Sequence, residues 1–393
     1  MIKCIIMYRE RVINMKIKKW HLFVIIILLF SISFFVVNLK FDKFYRLNDI
    51  NNDNRVLIES YLDEKEQQYL IDNQIPIKEF VDLIVEDDFN LYNYQYYNLL
   101  KQTQRYASNT QLVKIGNNMS AKLDYLFDDP IEKAKLIIDS KLELDFVGNQ
   151  NFNLEYIHMY LMIKPLYLEE DYSYIDDLFH YIEKLKVMGI NNNLDKVIES
   201  LCQSYDKKEL DHLFSKVYDN KETLVLDPNN LLTLVNDYNY IGEYTPKDLL
   251  LTQNLPRKNY SMYLRKDAYL ALVSMYQELS KENKSFVLLE AFNNYDSLLR
   301  ENKKAGYDET QLGLTVCISQ KGIAYEHFID TDMCKWLENN AYRFGFIQRY
   351  PKHKASSTNH SYDPHIYRFV GKEAAEKIYN LNITLEEYHS LLN

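Results

Sequence analysis

Twenty consecutive residues, Trp20 to Leu39, contain no Asp, Glu, Lys or Arg and are mostly Ile, Leu, Phe and Val. A helix of that length spans a hydrocarbon core. Beyond it, apolar residues recur at helical spacing: Leu57, Tyr61 and Leu62, then Tyr69 and Leu70. The same period runs through Leu91–Tyr106, and through Ile175–Leu185 with Leu178, Tyr181 and Ile182. Leu194–Leu201 and Glu209–Val217 predict two more short helices. Turn-forming residues interrupt the pattern at Asn73–Pro76, Asp128–Pro130, Gly148–Asn153 and Gly189–Asn193. The prediction is a series of short helices in hairpin-like pairs, with no fixed repeat period.

The pattern changes near Leu224. A helix is predicted over Asp267–Lys281, with apolar Leu270, Leu272, Val273, Tyr276 and Leu279 on its length. Four short strand-like runs accompany it: Ser285–Leu289, Leu312–Ile318, Phe346–Arg349 and Tyr367–Val370. Strands between helices predict an α+β domain. The chain therefore reads as residues 1–19, a 20–39 transmembrane signal anchor, an all-α helical region over 40–223 and an α+β domain over 224–393.

Charge orients the apolar run. Residues 1–40 hold seven Lys or Arg against Glu10, a net of +6, which leaves −16 for the rest of a chain whose total is −10. Lys16, Lys18 and Lys19 flank the N-terminal side, so 1–19 is expected in the cytoplasm. No small-x-small cleavage pattern follows, which favours an uncleaved anchor over a removed signal peptide. Met15 is an alternative start. The acidic remainder argues against nucleic acid as a partner. The 9 Gly and 8 Pro in 393 residues favour helices. The 34 Tyr accompany abundant Asn, Ile and Lys and need no special role. Cys4, Cys202, Cys317 and Cys334 have no paired spacing, so a disulfide framework is not indicated. His158, His180 and His212 are scattered, without metal-ligand spacing.

Several segments of 224–393 occur in a telling order. They are Leu234-Val235-Asn236, Tyr244-x-Pro246-x-x-Leu249, Trp336-Leu337-x-x-Asn340-Ala341, Gly345-Phe346-Ile347-x-Arg349-Tyr350-Pro351, Tyr367-Arg368-Phe369-Val370-Gly371 and Thr384-Leu385-Glu386-Glu387-Tyr388. Together they resemble the VanY-type D-alanyl-D-alanine carboxypeptidases, zinc peptidases of bacterial wall metabolism. The resemblance implies three zinc ligands, an open position for water and a Glu base. It also implies an Arg for the substrate carboxylate.

At the implied zinc-ligand positions this chain has Thr310, Cys317 and Ile366. Asp363 occupies the base position, one methylene shorter than Glu. Asn293 stands where the Arg is expected. Asn293, Asp308, Gln311 and Arg349 are cleft positions by the same resemblance. Thr310 and Ile366 are poor zinc ligands. A rebuilt site would need Cys317 as thiolate, His365 returned by a bulge, and a donor such as His360, His353 or His327. On a regular strand His365 points to the face opposite Ile366. The bland reading makes Cys317 a small buried hydrophobe, His365 a partly exposed turn residue and Asp363 a turn carboxylate before Pro364.

Three functions compete. The first is a membrane-anchored, extracytoplasmic, inactive relative of a bacterial envelope, with no metal, binding peptidoglycan peptides or a cell-envelope protein. The second is an active zinc D,D-carboxypeptidase with altered ligands. The third is a scaffold whose helical region carries the function.

Overall fold

The computed structural model describes residues 19–41, 43–219 and 221–392. The expected cytoplasmic segment, apart from Lys19, lies outside them, as do Met15 and Cys4. Lys19–Phe41 forms one 23-residue helix. It is long and apolar enough to cross a membrane by length and composition, and the side chains of its apolar span are exposed.

The chain divides into two compact units, Met1–Phe152 and Asn153–Asn393. After the apolar helix, the first unit is a set of short helices. Asp63 starts Glu64–Asp72 through a reciprocal capping box with Glu66. Pro130 opens Pro130–Asp139 at its first turn, where a missing N–H costs nothing. Phe44, Ile58, Leu70, Ile77, Phe80 and Leu91 form a common core. The Leu91–Tyr106 periodicity resolves into a 3-10 turn, Leu91–Asn93, and a helix, Tyr94–Gln102.

The second unit begins at Asn153, earlier than the expected change at 224. Helices Ile157–Ile163, Tyr174–Val187, Leu194–Ser204 and Lys207–Ser215 belong to it. Side chains of these helices also attach to the segment beyond Leu224. Ser200 Oγ donates to Leu226 O at 3.0 Å, Asn229 Nδ2 donates to Ser204 Oγ at 2.8 Å, and Tyr205 packs edge-on against Tyr244. Hydrophobic period alone cannot report such attachments.

Strands β1 (Thr223–Leu224) and β2 (Asn239–Tyr240) form a short parallel pair. Strands β3 (Leu249–Leu251) and β4 (Tyr263–Arg265) pair antiparallel and lead into helix Lys266–Lys281. The principal sheet contains β5 (Phe286–Glu290), β6 (Thr315–Gln320), β7 (Phe346–Tyr350) and β8 (Asp363–Phe369). Its order is β5-β6-β8-β7, antiparallel throughout. These are the four runs expected from the sequence, with β8 starting four residues early and Leu312 left in a 3-10 turn, Glu309–Leu312. The α+β expectation holds.

Gly345 turns the chain into β7 with φ +88°. A Cβ there would lie 2.7 Å from Phe369 Cε2 and 3.1 Å from the Gly371 backbone. Both the backbone conformation and the approach of β8 therefore require glycine. Gly345→Ala is expected to destabilise the second unit by on the order of 2–4 kcal/mol. Urea unfolding followed by Trp336 fluorescence, in a Trp20→Phe background, measures it.

Candidate functional site

One face of the principal sheet floors a cavity of about 370 Å³. Thr315 and Cys317 of β6 and Asp363 and Ile366 of β8 line it. Cys317 pairs directly with Ile366, and Thr315 with Arg368, so alternate residues of two strands present one face. The walls come from the 235–237 loop, Glu290, the 303–310 segment, Tyr350 and His360. Asp308, Thr310 and Cys317 are thus gathered in one cleft with Asp363 and Ile366 from a distant part of the chain.

Their chemistry is specific. Asp308 Oδ1 accepts from the Thr310 amide at 2.9 Å and from its hydroxyl at 2.6 Å, capping the 3-10 turn. Asn293 is not among the lining residues but bonds two that are. Its Nδ2 donates to Glu290 Oε1 at 2.7 Å and reaches Thr310 Oγ1 at 3.3 Å. Cys317 is 7% exposed. Burial pushes its thiol up to about 12; Tyr325, 4.0 Å away, pulls the other way, and the Asp363 charge adds to the rise. With no metal beside it, the sulfur is a protonated thiol of low reactivity at physiological pH.

His365 leaves the cleft. The β7–β8 register shifts between Gln348–Tyr367 and Tyr350–Asp363, yet the ring still packs on the other face. It is 1% exposed, stacked 3.6 Å from the Tyr325 ring and 4.4 Å from Phe328. Its Nδ1 is 2.8 Å from Ile318 O and its Nε2 is 3.0 Å from Tyr325 O. The expected partly exposed turn residue is instead a core side chain. Its backbone N–H donates to Asp363 Oδ1 at 2.9 Å, so Asp363 opens β8 from within the strand. His360 lines the cleft, stacked on Tyr350; His353 and His327 are exposed outside it. Among the described residues no group of three or more His, Cys, Asp or Glu is placed to hold a metal ion. At the positions where the resemblance implies ligands, the Thr310 hydroxyl and the Ile366 hydrocarbon do not suit zinc, which leaves Cys317 as a single donor.

Two expected cleft residues are corrected. Arg349 is 1% exposed and faces carboxylates, not the cavity. Its Nε donates to both Glu309 oxygens at 3.0 and 2.8 Å, and its Nη1 and Nη2 grip Glu386 at 3.0 and 2.6 Å. Burial would lower its pKa, but Glu309 and Glu386 hold it above the ordinary value. Gln311 is fully buried, accepting from the Gly306 amide and donating to Gly242 O at 3.1 Å. Neighbours of both in sequence do line the cleft, but these two side chains turn the other way.

Sequence reasoning missed the role of Arg368. It is fully buried, with Nη1 3.0 Å from Glu309 Oε1 and Nη2 donating to Leu231 O and Thr233 O. Burial pulls its guanidinium down to about 10, against the Glu309 charge, so it stays protonated at neutral pH. An Arg inside the apolar strand Tyr-Arg-Phe-Val was the signal, because a buried Arg needs a carboxylate. Asp237, Lys303, Lys304, Tyr307 and Thr315, also in the cleft, carried no comparable signal.

The antiparallel sheet floors the cleft, and the Arg349–Glu309–Arg368 cluster adjoins it. The family is explicit in the comparison: residues 261–372 match the VanY family model, described as D-alanyl-D-alanine carboxypeptidase, and the chain belongs to that family. It is 36% identical over 196 residues to the putative carboxypeptidase YodJ of Bacillus subtilis (strain 168), covering 44% of this chain and 71% of the relative. It is 49% identical over 83 residues to a D-alanyl-D-alanine carboxypeptidase of Enterococcus faecalis (strain ATCC 700802 / V583), covering 21% of this chain and 30% of that protein. Among solved structures, the LdcB LD-carboxypeptidase aligns with 30% identity and a TM-score of 0.41, over 44% of this chain and 92% of that one.

Removing the Glu309 charge leaves buried Arg368 without its carboxylate and Arg349 with Glu386 alone. Glu309→Gln is expected to cost about 3–5 kcal/mol, read by urea unfolding. Iodoacetamide should leave Cys317 unmodified in the folded chain at pH 8 and label it only after unfolding or as the pH approaches its raised value. Peptide mass spectrometry of the labelled residue checks this.

Proposed function

We propose that this chain is a membrane-anchored, extracytoplasmic carboxypeptidase relative that binds peptidoglycan stem peptides in its cleft without hydrolysing them. One observation carries the reading. Thr310, Cys317 and Ile366 line the cleft at the positions where the family resemblance implies ligands, and of these only Cys317 carries a zinc-binding donor, where three are needed. Asp363 keeps a carboxylate at the base position, but a carboxylate alone does not make water a nucleophile for an amide. Asn293 cannot grip a substrate carboxylate as a guanidinium would. The retained cavity and sheet support binding.

The anchor rests on the apolar helix Lys19–Phe41. Basic residues on its N-terminal side support an inside-to-outside orientation, which puts the acidic remainder beyond the membrane. That is also where wall peptides are found.

The test uses the full chain in detergent. Metal analysis is expected to give far less than one zinc per chain, and incubation with a D-Ala-D-Ala peptide should release no D-alanine while calorimetry shows saturable binding. Stoichiometric zinc with turnover would establish the altered-ligand enzyme instead. Installing Thr310→His, Cys317→Asp and Ile366→His together should raise zinc content toward one per chain.

A further inference from the structure

Thr315 sits on the floor of the cleft, 3% exposed, and its Oγ1 has no hydrogen-bond partner. A buried hydroxyl without a partner is costly unless something from outside meets it. The charges around it are unevenly answered. Lys304 pairs with Asp237 at 2.6 Å and Lys303 with Glu290 at 2.6 Å. Glu309 is held by Arg349 and Arg368. Asp308 and Asp363 line the same cavity with no cationic partner among the described residues; their recorded bonds come from Thr310 and from the His365 amide.

This balance disfavours an anionic ligand. Lys303 is shared between Glu290 and Glu301, and Lys304 is engaged by Asp237. Among the described residues no cation in the cleft is left for a terminal carboxylate. The cleft offers two carboxylates and one hydroxyl acceptor. A bare metal ion needs a larger converging donor set, which the described residues do not provide. A primary ammonium needs three acceptors, one for each N–H. Charge-assisted bonds to carboxylates are the strong kind.

We propose that the cleft takes a primary ammonium group of a peptide at Asp308, Asp363 and Thr315, in place of a terminal carboxylate. The inference rests on the reading that the cleft binds wall peptides, and it names the group recognised. The side-chain amine of a diamino acid in such a peptide has the required chemistry.

The probes are three α-N-acetylated tetrapeptides ending in D-Ala and carrying a lysine. One has a free ε-amine, one is Nε-acetylated, and one has a free ε-amine and an amidated C-terminus. Titrated into the full chain in detergent at low salt, the free-amine peptide is expected to bind at least tenfold more tightly than its acetylated twin. C-terminal amidation should cost less than twofold. Asp308→Asn combined with Asp363→Asn should erase the amine preference. Thr315→Val should weaken the free-amine peptide several-fold while leaving the thermal midpoint unchanged or higher, since no internal bond is lost. Equal affinity for the free and acetylated peptides, or a tenfold loss on amidation, overturns the ammonium assignment and leaves peptide binding intact. Failure of all three peptides to bind overturns the cleft reading and this inference with it. A Thr315→Val chain that loses stability but binds normally removes Thr315 from the site.

Discussion

The second unit depends on one buried ionic cluster. Glu309 lies between Arg349 and Arg368, two guanidinia of which one is 1% exposed and the other fully buried. Glu386 takes the far side of Arg349. Burying such charges is expensive, and the cluster is tolerable because nearly every donor finds an acceptor. Its members come from a 3-10 turn, β7, β8 and the C-terminal helix Leu385–Leu392. Arg368 also reaches carbonyls at Leu231 and Thr233. The cluster therefore ties five segments together behind the cleft. It fixes the turn that presents Asp308 and Thr310, because Glu309 is their immediate neighbour.

That arrangement separates support from chemistry. Along the Glu309–Leu312 turn, Glu309 and Gln311 are buried and hold the scaffold, while Thr310 lines the cavity. Along β8, Arg368 supports, Ile366 lines the cavity, and His365 packs behind on Tyr325 and Phe328. Residues that support the fold remain constrained by burial whatever the cleft does. Glu309 does both, since it also borders the cavity, and Thr315 and Cys317 are buried although they line it.

Much of the architecture was legible in the sequence. The helix period placed Tyr174–Val187, Leu194–Ser204 and Lys266–Lys281 to within a few residues, because one face of each is apolar. The four strand runs of the principal sheet were visible for the same reason. The pairing of Thr310, Cys317, Ile366 and Asp363 was legible through ordered motifs, and the turn of His365 away from the cleft followed from strand alternation. The roles of Arg349 and Gln311 were misplaced, since proximity in sequence to cleft residues does not say which way a side chain points.

The sequence by itself determined the apolar N-terminal helix, the helix-rich first half, the α+β second half, the family, and the identities at the positions implied for chemistry. These depend on local composition, periodicity and motif order. Only the tertiary structure decided that the second compact unit begins at Asn153, that Arg368 and Arg349 share Glu309, and that Thr315, unpartnered, lines one cavity with Asp308 and Asp363. Each of these joins residues distant in the chain. Burial and counter-charge are properties of that assembly, and no spacing along a single strand or helix encodes them.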